Sequence, residues 1–265
     1  MYRKALLAST LATLLLILSL TTACSQNSSV STTEDSPVEV TVFAAASLNA
    51  AGAELERAYE EEHQQVDLSF NYAGSSKLVQ QIEQGAGADL LITADKSSMQ
   101  QAQEKLTELA QTQPQVIASN QLVLASAPDN PAGISSLQDL SSAEVTTGIC
   151  ALEVPCGTLA HRVLDQEKIS LGSASEEANV SEVASKVASG TVDAGFIYST
   201  DLAVLEKTHT ITHLDLLNLP ANSYPAALTS QGAESEQAKE FFNWLSTDQA
   251  QKILQDYGFG PAQDS

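Results

Sequence analysis

Several small polar residues in this 265-residue chain stand where strand-forming residues give way to helix-forming ones. Ser47 follows Val38, Val40 and Val42, which alternate at the strand period, and precedes Leu48, Ala51, Leu55 and Ala58 at helical spacing. Ser75 and Ser76 open a segment with Leu78, Val79 and Ile82 on one helical face. Cys156, Gly157 and Thr158 follow Pro155, a residue suited to a first helical position. Asn179 stands three residues before Glu182, the spacing of a capping box, which puts the Val180 amide in a first helical turn. Tyr198 ends a run in which Ala194, Phe196 and Tyr198 alternate. Taken singly, such residues are ordinary helix caps. Converging on one cleft, they would combine hydroxyls with unpaired N–H groups and the positive ends of helix dipoles. That chemistry holds a small dianion without a lysine or arginine.

The elements that must position them alternate between strand and helix. A strand from Val38, the helix after Ser47, a strand over Val66 to Tyr72, the helix after Gly74 and a short apolar strand at Leu90 to Ile92 make a β-α-β-α-β run. This is the pattern of a parallel sheet covered by helices. A second set follows, with strands at Gln121 to Ser126 and Val145 to Cys150, then the helices from Pro155 and Val180 and the strand ending at Tyr198. Beyond them come Leu214 to Leu219, Tyr224 to Thr229 and a closing helical stretch with Phe241, Leu245, Ile253 and Leu254. So many strands exceed one ordinary sheet, so the expected fold is α/β with two lobes. Ligands of such sheets bind beyond the carboxyl ends of the strands, where these five junctions fall.

Composition removes competing chemistries. Twelve Lys plus Arg against 33 Asp plus Glu give a formal charge of −21, unsuited to nucleic acid or an anionic membrane surface. The four histidines, His63, His161, His209 and His213, are scattered; His209 and His213 lie four apart in a strand-like stretch, where that spacing builds no helix-face metal pair. Nucleophile elbows, phosphate loops and zinc-protease motifs are all missing from the sequence, so no enzyme is expected.

Arg3 and Lys4 precede an apolar run from Ala5 to Leu20, and Thr21-Thr22-Ala23-Cys24 follows. This resembles a bacterial lipobox, with Thr21 where leucine is usual. It implies cleavage after residue 23 and a diacylglyceryl thioether on Cys24. The Ser- and Thr-rich stretch over 24–37 reads as a lipidated flexible tether with a contour of roughly 40 Å. The expected location is therefore extracytoplasmic, with the chain anchored to a membrane by lipid.

Five segments in order carry a family resemblance: Val42-Phe43-Ala44-Ala45-Ala46-Ser47-Leu48, Tyr72-Ala73-Gly74-Ser75-Ser76-Lys77-Leu78, Gly87 to Asp95, Val154-Pro155-Cys156-Gly157 and Gly195 to Asp201. Tyr257-Gly258-Phe259 follows near the end. The chain resembles the molybdate-binding periplasmic proteins, the substrate-binding subunits of molybdate importers. The resemblance implies a type II periplasmic-binding-protein fold, with two lobes joined by two crossover segments. The expected lobe boundaries are 38–117 and 228–265 for the first lobe and 118–227 for the second. It implies that Ser47 and Ser75 bind through hydroxyl and backbone N–H, Cys156 and Val180 through backbone N–H, and Tyr198 through its hydroxyl. Gly74 stands where some members have serine. Outside the cytoplasm Cys150 and Cys156 could form a bridge stiffening the loop around Cys156. The implied ligand is molybdate or tungstate, held as an oxyanion with no direct metal ligands and no cofactor. The implied partner is the membrane permease of an ABC importer, served by a monomer. Another small oxyanion or a metal complex is the alternative ligand, and a sensor or enzyme on the same scaffold a further alternative.

Overall fold

A computed structural model describes residues 36–109, 113–216 and 219–262. Cys24 and the expected leader lie outside these residues. Among the described residues, no helix is long and apolar enough to cross a membrane.

Two five-stranded sheets build the two lobes. The first contains β1 (Val38–Ala45), β2 (Val66–Ala73), β3 (Leu90–Ile92), β4 (Gln115–Asn120) and β10 (Asn222–Leu228), in the order β2-β1-β3-β10-β4. The second contains β5 (Leu122–Ser126), β6 (Thr146–Cys150), β7 (Ser173–Glu177), β8 (Ala194–Tyr198) and β9 (His213–Asp215), in the order β7-β6-β8-β5-β9. In each sheet three parallel strands are followed by one antiparallel to its neighbours. The lobes thus share one plan without a visible sequence repeat. Helices α1 (Asn49–Glu62), α2 (Ser75–Glu83), α3 (Lys96–Lys105), α4 (Pro155–Glu167), α5 (Val180–Ala188), α6 (Ser199–Leu205), α7 (Ser230–Glu234), α8 (Glu236–Trp244) and α9 (Asp248–Asp256) cover them.

Strand alternation explains how the first lobe buries both sheet faces. Val42 and Ala44 face one cluster, with Leu55 and Tyr59 of α1, Phe241 and Trp244 of α8 and Leu254 of α9. Phe43 and Leu91 face the other, with Leu78 and Ile82 of α2 and Met99 of α3. In the second lobe Ile149, Phe196, Leu159, Val163, Val183 and Val187 belong to one cluster. Each large side chain so buried contributes about 1.5–3 kcal/mol over exposure.

The chain crosses between lobes at Gln121 and between Asp215 and Asn222. Both crossings differ from the expected boundaries after residues 117 and 227. The reason is pairing: β10 lies antiparallel beside β4, with Asn222 opposite Asn120, so both strands stay in the first sheet to their ends. Several elements went unread in the sequence, among them β4, α6 and α7 and the two that follow. The edge strand β7 is a polar Ser-Ala-Ser-Glu-Glu run, and α3 buries only Ser98, Met99 and Ala102. At the start of the apolar stretch noted over Leu214 to Leu219, a strand runs over His213–Asp215.

Candidate functional site

Where the lobes face each other, residues from both enclose a cavity of about 10 Å³, room for the centre of one water-sized sphere. Ser47, Ser75, Cys156, Val180 and Tyr198 all line it, so the five residues singled out from the sequence meet at one place. Ala45, Ala46, Gly74, Ala94, Val154, Pro155 and Asn179 are among the others. Among the described residues that line it, none is Lys, Arg, His, Asp or Glu. Nor does any group of three or more His, Cys, Asp or Glu among the described residues form a place for a metal ion.

The shared sheet plan delivers these groups. The first two parallel strands of the first sheet, β1 and β2, lead into Ser47 and Ser75; their counterparts β6 and β7 lead into Cys156 and Val180. The third parallel strand of the second sheet, β8, ends on Tyr198. All five therefore lie beyond strand carboxyl ends, at the crevice where strand order reverses.

The helix starts here differ from those elsewhere. The turn over Ala46–Leu48 that leads into α1, and helices α2 and α4, begin at Ala45, Gly74 and Val154, none of which gives a side-chain cap. Away from the cavity α3, α7, α8 and α9 are capped by Asp95, Thr229, Ser235 and Thr247. Four N–H groups at each helix start lack an intrahelical acceptor, so an uncapped start keeps donors for something else. Only α5 is capped at the cavity: the Glu182 N–H donates to Asn179 Oδ1 at 3.1 Å. The N–H groups of Val180 and Ser181, in the first turn of α5, have no intrahelical acceptor.

The start of α4 is pinned to the end of β6. Cys150 and Cys156 are joined by a disulfide. Gly157 sits so close that a Cβ there would lie 1.9 Å from the Ala151 carbonyl oxygen. No other residue type fits that packing without moving backbone.

The hydroxyls are oriented by groups behind them. Ala94 N–H donates to Ser75 Oγ at 3.1 Å, so the Ser75 proton is free to point elsewhere. Asn222 Nδ2 donates to Tyr198 Oη, with the same result. Ser47 Oγ and Tyr224 Oη are 2.8 Å apart. Asn120 stands behind Tyr224 as a donor. Its Oδ1 accepts from Gln121 N–H at 2.9 Å and from Ser199 Oγ at 2.8 Å, so its Nδ2 must donate, to Thr200 Oγ1 at 2.8 Å and Tyr224 Oη at 3.3 Å. Either hydroxyl can donate across the Ser47–Tyr224 pair; when the Tyr224 hydroxyl donates to Ser47 Oγ, the Ser47 proton is left for the cavity. The cavity is thus presented with donors. Burial holds both tyrosines well above the usual phenol range, with Asp95 and Asp201 adding to the shift, so both stay protonated. Half-buried Asp201 accepts the Tyr198 N–H at 3.1 Å, and burial raises its carboxyl to about 7.

Sequence reasoning missed Tyr224, Asn120 and Asn222. They lie at or beside the crossings, where no helix start or apolar rhythm marks them. The only signal was two asparagines at strand ends, which reads as turn chemistry.

Residues 40–260 match the family described as bacterial extracellular solute-binding protein. The chain is 32% identical over 221 residues to a molybdate-binding protein of Mycobacterium tuberculosis, covering 83% of this chain and 84% of that one. It is 30% identical over 248 residues to a putative ABC transporter substrate-binding lipoprotein of Bacillus subtilis, covering 91% and 93%. The periplasmic molybdate-binding protein of Azotobacter vinelandii superposes with a TM-score of 0.70 at 20% identity, covering 84% of this chain and all of the other. That last likeness supports the two-lobed type II fold.

Proposed function

This chain belongs to the bacterial extracellular solute-binding protein family, in the company of the molybdate-binding proteins, and from that premise we propose that it captures molybdate for an ABC importer. One observation carries the reading: a cavity for a single small ion, lined among the described residues by no formal charge, on which uncapped helix starts and outward-pointing hydroxyls converge. Donors with no acceptor suit an anion that has lost all its protons. A phosphate that keeps one would bring a donor facing donors, an unpaired buried group that costs about 1–3 kcal/mol. Sulfate has the right charge but shorter bonds, so it cannot reach every donor of a cavity fixed by backbone amides. Tungstate matches molybdate in size and charge and binds alongside it.

The ligands in this proposal are the hydroxyls and N–H groups of Ser47 and Ser75, the N–H groups of Cys156 and Val180, and the hydroxyl of Tyr198. The lobes part about the two crossings to admit the ion and meet over it to exclude water. Cys24 carries the lipid that holds the chain outside the cytoplasmic membrane, a reading consonant with the lipoprotein named in Bacillus subtilis. The protein acts as a monomer that docks on the permease; it performs no chemistry on its cargo.

Thermal melting with molybdate, tungstate, sulfate and phosphate tests this. At a hundredfold excess over the dissociation constant the true ligand adds about 2.7 kcal/mol of stability. Molybdate and tungstate should raise the melting temperature and the other two should not. Equal stabilisation by sulfate would refute the molybdate assignment.

A further inference from the structure

We infer that Gly74 is the stop that fixes how far the two lobes close, and so sets how firmly the cavity grips its ion. This deepens the oxyanion reading and rests on it. Gly74 has φ −60° and ψ 140°, an extended conformation open to any residue, so its backbone does not require glycine. It is also the N-cap of α2, where glycine is common but serine, aspartate or asparagine would add a side-chain acceptor for the helix N–H groups. Glycine forgoes that cap here. The reason lies across the cleft: a Cβ on Gly74 would lie 2.5 Å from the Ala178 carbonyl oxygen and 3.4 Å from Val154 Cγ1, both in the opposite lobe. The nearer atom belongs to backbone, held between β7 and α5, so it cannot swing aside as a side chain would.

Two hydrogen bonds flank this contact and also join the lobes. The Ser76 hydroxyl donates to the Glu153 carbonyl. The Ser181 hydroxyl donates to the Ala46 carbonyl at 3.3 Å. Closure therefore ends with backbone resting on backbone at Gly74 and a hydroxyl latch at each of two further points, all beside cavity-lining residues. Adding a methyl group at 74 would hold the rim open. Real Cβ contacts start near 3.0 Å and become ordinary at 3.4 Å, so the Ala178 carbonyl must retreat by about 0.5–0.9 Å. Donors from the two lobes would then no longer reach one ion at hydrogen-bond distance together, since such bonds span only about 2.7–3.2 Å.

Encounter with the open form does not involve this contact, whereas release from the closed form does. Stopped-flow kinetics with molybdate should therefore show an association rate within twofold of wild type for Gly74→Ala and a dissociation rate at least tenfold faster. Ser76→Ala removes one latch without adding bulk and should accelerate dissociation by less than Gly74→Ala. Melting of the two variants without ligand should match wild type, because the stop is engaged only on closure. A Gly74→Ala dissociation rate equal to wild type overturns the inference. So does a large loss of ligand-free stability, which would make Gly74 a folding requirement instead. Wild type titrated in parallel separates the claims: if it does not bind molybdate, the functional reading fails; if it binds and Gly74→Ala behaves identically, only the stop fails.

Discussion

Tyr224 touches none of the cavity surface, yet removing its hydroxyl should weaken ion binding through Ser47. The bond at stake is the 2.8 Å contact between Tyr224 Oη and Ser47 Oγ, with the Asn120 amide donating to Tyr224 from behind. Ser47→Ala deletes a proposed donor to a charged group, worth about 1.5–3 kcal/mol, or roughly 10- to 150-fold in dissociation constant. Tyr224→Phe deletes a bond between neutral groups, worth about 0.5–1.5 kcal/mol, or roughly 2- to 10-fold. The ring stays, so its edge contact with Phe259 at 5.3 Å and with Tyr198 at 6.4 Å is kept. Asn120 keeps its 2.8 Å bond to Thr200, so no buried amide is orphaned. If the Tyr224 effect passes entirely through Ser47, the double variant should bind no worse than Ser47→Ala alone. Calorimetric titration with molybdate on the four proteins completes the cycle. Additive losses would refute the relay, and so would a Tyr224→Phe loss larger than that of Ser47→Ala.

Tyr198→Phe, which removes a cavity donor directly, should weaken molybdate binding by about 1.5–3 kcal/mol in the same titration. Replacing Cys150 and Cys156 together by serine should lower the unfolding free energy by about 2 kcal/mol, the loop-entropy value for cysteines six residues apart, read from denaturant melts. Molybdate binding should fall by less than in Ser47→Ala, because the ligand proposed at 156 is its N–H. Asp201 is raised to about 7 in the folded protein and titrates near 4 when unfolded, so the folded state alone holds its proton between those values. That group's contribution should make ligand-free stability fall as pH rises from about 4 to about 7 and level off above; Asp201→Asn should abolish this part of a pH series of melts. With a formal charge of −21 opposing a dianion, added sodium chloride should raise the association rate modestly and leave dissociation nearly unchanged in stopped-flow traces.

The parallel strands and their helices were legible because period-two valines and period-3.6 leucines and valines abut small polar residues at each junction. Ser47, Ser75, Cys156, Val180 and Tyr198 each sit at or beside a change of rhythm, which drew attention to the junctions; their assignment as ligands came from the family resemblance, and the structure places all five on one cavity. What escaped was set by tertiary pairing. Asn120 and Asn222 matter because β4 and β10 run side by side, a fact no local pattern in Gln115–Asn120 or Asn222–Leu228 carries. The expected lobe boundaries were displaced by the same pairing. The β7 strand hid because a polar edge strand has no apolar alternation to display. Gly74 looked like a weakened serine site in sequence; only the position of the Ala178 carbonyl gives its missing side chain a meaning.

Titrating the purified protein with molybdate by calorimetry, first alone and then in a large excess of sulfate, tests capture by size-matched neutral donors most directly. The account predicts one site per chain, a dissociation constant well below micromolar, and little change when sulfate is present. Tight sulfate binding that displaces molybdate, or no heat with molybdate at all, would contradict it.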